Sequence, residues 1–510
     1  MQQRAGGQEY DVVVVGGGGA GLAAAIEAAR FGRSVVLLEK NPAFGGSTSW
    51  SVGSISATNT LHQRRAGIRD SPQEHFEDMA LHAGALAPRD NLVLRRLLVD
   101  NTTDMMEWLD ALGVVFVGPM PEPPHRYARM HNVVPNSRAF AYHLARRARQ
   151  LGVELRPATA AQRFIVAGGR VTGVLARLAD GTGRAFAARG GVVLASGDYS
   201  AGPDLKAAYA SAAVAALEAV NATSTGDGHR MALDIGARIV NGDIVRGPIL
   251  RFVPPVRRNL LQWLPPGRSL GRLMAWSIDT LPNRLLRPFF MSFLTTALGP
   301  SPALFREGAI FVNREGVRIG GDPARVALAV PQQPDRVAYF ILDAALADTF
   351  SRWPGFISTA PGIAYAYLAD YRRNRRDVYA TAPTLAALAT RLGMPPAALV
   401  GTVAAVNAER AAAGSARPFG AGPFHALGPV KSYVVFTDGG LAVSARLEVL
   451  DQADTPIPGL FAAGSAGQGG LLLEGHGHHL GWAFISGRIA GRHAALAAGP
   501  QAEPAAAATA

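Results

Sequence analysis

The chain alternates short apolar runs with glycine-rich turns. Val12–Val15 is a continuous apolar run, which predicts a strand buried on both faces of a parallel sheet. Residues 168–200 predict a hairpin and then a buried strand that ends at Ala195-Ser196-Gly197. Residues 455–470 predict a turn, a short apolar strand and a glycine-rich loop. A helix with a small-residue face is expected to begin near Gly481.

The first glycine-rich turn has the spacing of a nucleotide-binding motif. Gly16, Gly18 and Gly21 form G-x-G-x-x-G, which permits the turn, the approach of a pyrophosphate and close packing of helix on strand. Phosphates would then lie at a helix N-terminus, where free N–H groups and the helix dipole favour negative charge. Val35–Leu38 predicts the second strand, and Glu39 ends it 18 residues after Gly21, where an acid can bind ribose hydroxyls. Glu39 favours a free ribose 2′-hydroxyl, which fits FAD or NAD better than NADP.

The amino-acid composition narrows the class of protein to which this chain can belong. A length of 510 residues favours two domains, and 48% apolar with 17% charged residues is typical of a folded protein. The absence of cysteine excludes disulfides, thiolate nucleophiles and thiolate metal sites, and it fits a reducing compartment. The net charge is +12, but only three of the 50 basic residues are lysine and no basic run is interleaved with aromatic residues. Nucleic-acid binding is therefore not expected.

The ends of the chain carry little further information. No apolar h-region precedes the first strand, and no apolar run reaches the roughly 18–20 residues of a membrane-spanning helix. We therefore expect a cytoplasmic protein. The low-complexity residues 499–510 predict a disordered tail.

Further segments carry a family resemblance. They are "NPAFGGSTSWSVGSISA" (41–57), "STGDGHRMALDIGA" (224–237) and "TPIPGLFAAGSAGQGG" (455–470). Together with the first motif they resemble the flavoprotein subunits of fumarate reductase and succinate dehydrogenase and their relatives, the 3-ketosteroid dehydrogenases. The resemblance extends from residue 10 to residue 492 and is closest in character to the ketosteroid branch.

The resemblance implies an α/β fold in which a Rossmann-like, discontinuous FAD-binding domain carries an inserted α+β capping domain that closes over the flavin. The limits predicted from it are 8–242 and 428–498 for the FAD-binding domain and 243–427 for the cap. The covalent branch of the family attaches FAD to a His near its "GG-x-T" turn, and residues 41–57 contain no His. The expected cofactor is therefore non-covalent FAD.

The motif and the resemblance together assign the cofactor contacts. No second G-x-G-x-x-G occurs, so a separate electron donor or acceptor is expected in place of a nicotinamide domain. The predicted FAD-binding residues are Gly16, Gly18, Gly19, Ala20, Gly21, Glu39, Lys40, Gly45, Gly46, Ser47, Thr48, Gly53, Ala160, Ala195, Gly197, Asp227, Gly464, Ser465, Gly481 and Ala483.

Three histidines stand just before the last predicted helix: His476, His478 and His479. A metal ion needs several ligands that converge at fixed geometry, yet two of these residues are adjacent and the nearest carboxylate along the chain is Glu474. A metal site is therefore not predicted, and substrate contacts or purely structural roles stay open for these histidines. In the family, the N-terminus of this helix points at the flavin C2 carbonyl, where its dipole stabilises negative charge on the reduced ring.

The chain departs from the fumarate branch at both substrate-holding positions. That branch holds the substrate carboxylates with a His before a T-x-G-G turn and an Arg before the final helix. Here Phe436 precedes the turn Thr437-Asp438-Gly439-Gly440, and His479 precedes the helix. Each lost charge-assisted hydrogen bond is worth roughly 1.5–3 kcal/mol. The resemblance thus disfavours fumarate and succinate as substrates.

The resemblance also suggests acid–base residues. Residues 308–326 resemble the family segment that precedes a proton-carrying Arg, which makes Arg325 the leading candidate and Asp322 its relay partner, although Gly321-Asp322 replaces the usual Asn-Glu. An arginine, with a pKa above 12, can serve only when buried and tied to an acid, and the alternative is a surface Arg on a cap helix. Gly477 matches the backbone donor that polarises a ketone in the ketosteroid branch.

Two tyrosines complete the candidates. Tyr127 stands where the ketosteroid branch has an active-site Tyr, and Tyr199 is a weaker candidate. The Tyr that precedes the last helix in that branch corresponds to a position near Leu473, so its hydroxyl is absent here. The predicted catalytic residues are therefore Arg325, Tyr127, Gly477 and His479.

An apolar and basic segment covers residues 251–298. Residues 251–290 contain seven Arg and one Asp, with tryptophans among them. This pattern fits peripheral contact with an anionic membrane surface, a hydrophobic lid over the substrate, or ordinary packing in the cap. The first two interpretations both suit an apolar substrate.

These features predict an FAD-dependent oxidoreductase that acts on a CH–CH bond next to a carbonyl, in a bulky uncharged ketone or the corresponding enone. One alternative keeps the fold but binds a carboxylate through other arginines, as a fumarate- or succinate-type enzyme. Another, of a different class, is a flavin-binding partner protein without turnover.

Overall fold

Two large hydrophobic cores are found among the described residues, besides a small cluster of Ala83, Ile244 and Leu472. One is built from the N-terminal half and the C-terminal segment, and the other lies within residues 252–430. The computed structural model describes residues 8–255, 264–320, 322–360, 364–414 and 417–499. The predicted tail from residue 500 onward and Gly321 lie outside the described residues.

The main sheet has eight strands within the described residues. Its path runs over Glu448–Leu450, Pro456–Ala462, Gly183–Leu194, Gln8–Val15, Val35–Leu38 and Glu154–Arg156. All neighbours on this path are parallel except the first pair. Val12–Val15 are buried on both faces of the sheet, so the strand predicted from that apolar run is confirmed.

A hairpin extends the sheet at the strand Gly183–Leu194. Ala160–Ala167 pairs antiparallel with Arg170–Arg177, which pairs antiparallel with Gly183–Leu194. The last strand ends directly before Ala195, as the sequence predicts.

Two helices pack closely against each other beside this sheet. Gly19–Arg30 follows the first strand, and His478–Ala497 is the C-terminal helix. A Cβ atom at Gly487 or Gly491 would overlap the carbonyl groups of the first helix, so glycine is what allows this distance. The C-terminal helix begins three residues before the predicted Gly481, because Gly477 already caps it.

The other helices of this half are short or moderate in length. They are Gly46–Trp50, Leu61–Arg65, Pro72–Ala83, Leu92–Asp100, Thr102–Leu112, Arg138–Gln150, Pro203–Tyr209, Ala212–Ala215 and Asp227–Leu233. Two 3-10 helices span Gly84–Arg89 and Gly464–Gly467.

The second core surrounds a mostly antiparallel sheet. Its central strand, Phe424–Val434, has neighbours on both sides. The strands around it are Glu218–Ala219, Ile249–Phe252, Ala338–Leu342 and Tyr379–Ala382, and Ile310–Asn313 pairs with Ala338–Leu342. The predicted domain boundary at 427/428 falls inside this central strand, and the domain limits stay predictions.

The remaining helices lie within residues 268–413. Arg268–Thr280 packs on the strands Val115–Met120 and Met130–Val134. The others are Asn283–Ala297, Ala303–Arg306, Pro323–Ala329, Ala344–Thr349, Leu368–Asn374, Leu385–Leu392 and Pro396–Ala413, with 3-10 helices at Val330–Gln332 and Pro334–Arg336.

Small sheets complete the fold. Ser54–Ser56, Met130–Val134 and Val115–Met120 form a three-stranded sheet. The two-stranded sheets are Ile239–Val240 with Gly440–Leu441, Val245–Arg246 with Phe436–Thr437, and Ser358–Ala360 with Ala364–Ala366.

The segment 251–298 is partly exposed. Residues 256–263 of it lie outside the described residues. In the remainder, Leu273, Trp276 and Leu285 expose more than half of their surface. None of the helices in the described parts of the chain is long and apolar enough to cross a membrane.

Candidate functional site

The glycine-rich turn packs as its spacing predicts. A Cβ atom at Gly21 would overlap Gly16 O, so only glycine lets the helix start this close to the strand. Gly18 differs, because a Cβ atom there would find Gly45 O at 4.0 Å as its nearest neighbour. Open space therefore faces Gly18 at the N-terminus of the helix Gly19–Arg30, and Gly18 offers no side chain to cap it. This is where the sequence predicts a pyrophosphate.

The segment Gly45–Thr48 forms the opposite wall of this space. Gly45 N–H donates to Gly17 O at 2.8 Å, and Thr48 Oγ1 accepts a hydrogen bond from Gly19 N at 3.1 Å. A Cβ atom at Gly46 would lie 3.5 Å from Gly18 Cα. The two glycine-rich segments thus face one another through backbone atoms.

Glu39 ends the second strand and turns back to the motif. Its Oε2 accepts from Gly17 N at 2.7 Å, and its Oε1 accepts from Asn41 N at 2.8 Å. Thr159 N, next to Ala160, donates to Glu39 O at 2.8 Å. The acid and the start of the strand Ala160–Ala167 therefore lie beside the glycine-rich turn.

Lys40 and Asp227 join a third segment to this group. Lys40 Nζ lies 2.7 Å from Asp227 Oδ2, in a pair that is partly open to solvent. Burial by itself raises the pKa of the Asp227 carboxyl, but the bond and the charge of Lys40 outweigh it, and the pKa is lowered. Asp227 is thus a carboxylate at the first residue of the helix Asp227–Leu233.

The C-terminal segment completes this group of backbone-lined segments, which we call the cradle. A Cβ atom at Gly464 would lie 2.9 Å from Ala20 Cβ and 4.0 Å from Ala483 Cβ. Three predicted cofactor residues from distant segments are therefore neighbours. The open space at Gly18, the uncapped helix start and the backbone-lined walls fit a dinucleotide. Ser47, Gly53, Ala195, Gly197, Ser465 and Gly481 lie on the segments that form these walls, and their contacts with FAD stay predictions.

A second group of side chains lies before the C-terminal helix. Phe436 packs on His479, with ring centroids 4.0 Å apart. His479 Nε2 lies 3.9 Å from Asp438 Oδ1. Arg246 reaches the same place from the strand Val245–Arg246, with Nη2 2.5 Å from Asp438 Oδ2 and Nη1 paired with Glu474 Oε1. A single guanidinium thus faces two carboxylates.

Burial controls the charge of this group. Loss of hydration lowers the pKa of His479 to about 4, and the nearby Asp438 raises it only partly. His479 is therefore a neutral imidazole at neutral pH, and 23% of its side chain remains exposed. Together, Arg246, Asp438 and Glu474 carry one net negative charge.

Gly477 caps the C-terminal helix in a left-handed conformation, with φ of +94°. A Cβ atom there would overlap the backbone of Ser56, so the position requires glycine for both conformation and space. Among the described residues, no protein acceptor is found for Gly477 N–H. The backbone donor expected at this position is thus available to a ligand.

A comparison with known families decides what the cradle binds. The model of the family described as "FAD binding domain" matches residues 11–248 and 276–472. The chain belongs to this family. This flavoprotein is an FAD-dependent oxidoreductase, and the expected FAD cofactor and α/β fold are confirmed.

Curated relatives of this flavoprotein are reductases. A urocanate reductase of Eggerthella lenta is 28% identical over 96% of this chain and 75% of its own length. A vinyl phenol reductase of Lactiplantibacillus plantarum is 28% identical over 95% of this chain and 96% of its own. The coarse prediction, an FAD-dependent oxidoreductase acting on a carbon–carbon double bond, is confirmed.

Solved structures share the fold. The open conformation of a flavocytochrome c3 fumarate reductase aligns with a TM-score of 0.72 at 24% identity, covering 97% of this chain and 80% of its own. A 3-ketosteroid-Δ4-(5α)-dehydrogenase from Rhodococcus jostii RHA1 aligns with a TM-score of 0.59 at 25% identity, covering 97% and 98%. The family resemblance seen in the sequence is confirmed.

Arg325 does not have the environment predicted for it. Its side chain is 90% exposed on the helix Pro323–Ala329, and among the described residues the acid within ion-pair distance is Asp322, at 3.8 Å and also exposed. A proton-carrying arginine needs burial, and this conformation leaves the guanidinium in water. These contacts fit the alternative, a surface Arg on a cap helix, and a catalytic role for Arg325 stays a prediction without their support.

The two candidate tyrosines are engaged elsewhere. Tyr127 OH donates to Glu74 Oε1 at 3.2 Å, and this bond raises the pKa of the phenol. Tyr199 is fully buried and donates to Gly242 O at 2.7 Å, and burial raises the pKa of its phenol as well. A catalytic role for Tyr127 stays a prediction without support from these contacts.

The two remaining histidines of the loop face different surroundings. His476 is exposed and paired with Glu122, which raises the pKa of the imidazole. His478 is fully buried, and burial lowers its pKa to about 4. Sequence reasoning missed Arg246, whose only signal is an arginine just before Gly247-Pro248, and it gave no weight to Asp438 within the T-D-G-G turn.

Proposed function

We propose that this flavoprotein reduces, or in the reverse direction forms, a carbon–carbon double bond conjugated to a carbonyl in an uncharged, mostly apolar substrate. The observation that carries the proposal is the charge state around His479. The imidazole is neutral, and the nearby guanidinium of Arg246 is already shared by Asp438 and Glu474. A dicarboxylate would meet net negative charge here and would lose the charge-assisted bonds that hold such substrates.

The residues of this chain supply binding and polarisation. Bound FAD supplies hydride transfer to or from the substrate carbon. Gly477 N–H is a free backbone donor placed one residue before the C-terminal helix, so it can hold a carbonyl oxygen where the positive end of the helix dipole favours developing negative charge. His479, as a neutral imidazole, can donate or accept one hydrogen bond at the same place.

Apolar surface next to these groups suits the substrate proposed. Phe436 packs on His479, and both side chains are partly exposed. An aromatic or alicyclic substrate would bury area against these side chains, which favours binding by roughly 25 cal/mol per Å². The uncharged, mostly apolar character is in keeping with relatives named for a vinyl phenol and for a 3-ketosteroid, and the carbonyl is in keeping with the second of these.

A second candidate is a carboxylate substrate held by Arg246. This guanidinium lies close to His479 and is largely buried, as a substrate clamp would be. The carboxylate would have to displace Glu474 from it, because Asp438 and Glu474 both bind Arg246. Relatives named for urocanate and fumarate make this the alternative to test.

Electron exchange is proposed to use a separate carrier. The chain has one G-x-G-x-x-G motif, which the FAD cradle uses. A cytoplasmic location and contact of the segment 251–298 with a membrane surface stay predictions. The exposed Trp276 and Leu273 are the residues on which a membrane contact would depend.

The two substrate classes separate in one anaerobic experiment. The enzyme is reduced with dithionite under anaerobic conditions, and the return of oxidised flavin absorbance is followed after adding cyclic enones, vinyl phenols, urocanate or fumarate. Uncharged conjugated substrates are expected to reoxidise the flavin and the carboxylates are not. Reoxidation by fumarate or urocanate alone would favour the second candidate. A protein that cannot be loaded with FAD would contradict both.

A further inference from the structure

Four histidines from distant parts of the chain meet in one cluster behind the loop that carries Gly477. His75 and His82 lie on the helix Pro72–Ala83, His125 precedes the strand Met130–Val134, and His478 opens the C-terminal helix. Their ring centroids are 4.4–5.9 Å apart in the five pairs that pack together. We call these residues, with Glu122, the histidine cluster.

The cluster has the dimensions of a metal site. One ligand atom from each of His75, His125 and His478 lies within 4.8 Å of the others, and His82, Glu122 and His125 form a second, overlapping group of the same size. His75 Nε2 and His478 Nε2 are 3.0 Å apart. Nitrogen ligands at the usual zinc distance are about 3.4 Å apart in a tetrahedron, so small adjustments suffice.

Several buried polar atoms of the cluster have no hydrogen-bond partner in the described part of the chain. His75 Nδ1, His82 Nε2, His125 Nε2 and Glu122 Oε2 are buried and have no hydrogen-bond partner among the described residues. Buried polar atoms without partners are rare in folded proteins and call for an explanation such as an ion or an ordered water. Several of them in one cluster of imidazoles point to an ion.

The surroundings orient the rings as metal ligands are oriented. His478 Nδ1 donates to the carbonyl oxygen of Glu474, so its Nε2 carries a lone pair that faces His75. A hydrogen bond from the second ring nitrogen to a backbone carbonyl is a common way to fix the tautomer of a metal-bound His.

One cation stands near the cluster. Arg129 Nη1 lies 2.9 Å from His125 Nδ1, and the same guanidinium binds Asp70 and Asp78. Its charge is therefore compensated by two carboxylates. Arg129 can only donate, so His125 Nδ1 carries the lone pair; the ion would replace this hydrogen bond, and Arg129 would keep both ion pairs.

We propose that His75, His125 and His478 bind a divalent transition-metal ion of the zinc class, with one ligand from the overlapping group, His82 or Glu122, completing a tetrahedral shell. Imidazole nitrogens with one carboxylate suit Zn²⁺ and its transition-metal neighbours, whereas Mg²⁺ and Ca²⁺ take oxygen ligands. The ion would tie the helix Pro72–Ala83 and the residues 122–125 to the loop that ends at Gly477. It would thereby fix one wall of the substrate site without taking part in the reaction.

The test measures metal binding and does not depend on turnover. Untagged FAD-loaded enzyme is treated with a chelator, titrated with ZnCl2 by calorimetry and analysed for bound metal after gel filtration. One Zn²⁺ per chain is expected in the wild type and in His62→Gln, because His62 packs against His131 outside the cluster. Binding of this Zn²⁺ is expected to be lost in His75→Gln, His125→Gln and His478→Gln.

Two further measurements test the proposal even if one variant folds poorly. Zn²⁺ should raise the apparent Tm of the chelated wild type but not that of folded His478→Gln, whose integrity is checked by its flavin spectrum. Co²⁺ bound to the wild type should give the strong ligand-field absorption of a tetrahedral site with nitrogen ligands. Absence of stoichiometric metal, or equal binding by wild type and the three cluster variants, would overturn the proposal.

Discussion

His479 Nε2 lies 3.9 Å from Asp438 Oδ1, and the same carboxylate is paired with Arg246. The residue that stands where the fumarate branch holds a substrate carboxylate is therefore a neutral imidazole beside an anion. An internal ion-pair network with Asp438 and Glu474 thus lies where that branch has a cation. This difference is the basis for proposing an uncharged substrate in place of a diacid.

Restoring a cation at this position should shift the substrate preference. His479→Arg places a guanidinium beside Asp438 and raises the net charge of the group by one. The ratio of kcat/KM for fumarate to that for a cyclic enone should rise by about tenfold, since one charge-assisted bond is worth roughly 1.5–3 kcal/mol. Steady-state assays with a reduced artificial electron donor measure the ratio. His479→Gln is the matched control without charge, and an equal rise in both variants would contradict the argument.

The glycines of the first turn have separable roles, which a pair of variants can distinguish. Gly18 has extended backbone and faces open space, so Gly18→Ala should leave the apoprotein stable and weaken FAD binding on the order of tenfold or more, equal to at least 1.4 kcal/mol. Gly21→Ala overlaps Gly16 O and should destabilise the fold itself by about 1–3 kcal/mol. FAD titration and thermal unfolding of both apoproteins check this. Normal FAD affinity in Gly18→Ala would place the pyrophosphate elsewhere.

The buried ion-pair group at Arg129 should be essential for stability. Arg129 is fully buried and binds Asp70 and Asp78 at 2.7 and 2.5 Å. Arg129→Met leaves the buried carboxylate of Asp70 without its cation, whereas Asp78 keeps its pair with Arg126, so a loss of about 3–5 kcal/mol in the free energy of unfolding is expected. Arg126→Met is the control, because that guanidinium is 41% exposed and Asp78 then keeps Arg129, so the loss should be clearly smaller. Denaturant unfolding of both variants should separate them, and similar losses would contradict the assignment.

Much of the cofactor cradle could be predicted because its signals are local. The spacing of Gly16, Gly18 and Gly21, the apolar strand before them and the acid at Glu39 all lie within one βαβ unit. Gly464 and Ala483 were found only through the family resemblance, and the structure makes them neighbours of Ala20. A requirement of the local backbone can be predicted because the residues that meet it are close together in the sequence.

The substrate side and the histidine cluster could not be predicted in the same way. Arg246 meets Asp438 and Glu474 only because the strand Val245–Arg246 pairs with Phe436–Thr437, about 190 residues later along the chain. His478 meets His75 across a sequence separation of 403 residues. Neither pairing leaves a periodic signal. The exposure of Arg325 could not be predicted for a similar reason, because a local motif does not tell how deeply a cap helix is buried.

Acid should destabilise the protein before its carboxylates titrate, because several histidines are buried as neutral rings. Burial lowers the pKa of His131 and His229 to about 4 in the folded state, whereas an unfolded chain has a His pKa of about 6.5. The unfolded state therefore binds more protons between these values. The stability is fully present above about pH 6.5 and is lost progressively as the pH falls toward 4.

Removing one such histidine should flatten this pH dependence. His229 is fully buried against Tyr199, and His229→Phe keeps an aromatic ring there without a titrating group. The slope of the free energy of unfolding between pH 6 and pH 5 should fall by up to about 1.4 kcal/mol per pH unit, the contribution of one proton. His476→Gln is the control, because the pKa of His476 is raised by Glu122, and its stabilising effect is present at low pH and lost as the pH rises. Denaturant unfolding at several pH values measures both, and an unchanged slope in His229→Phe would show that this ring is protonated in the folded protein.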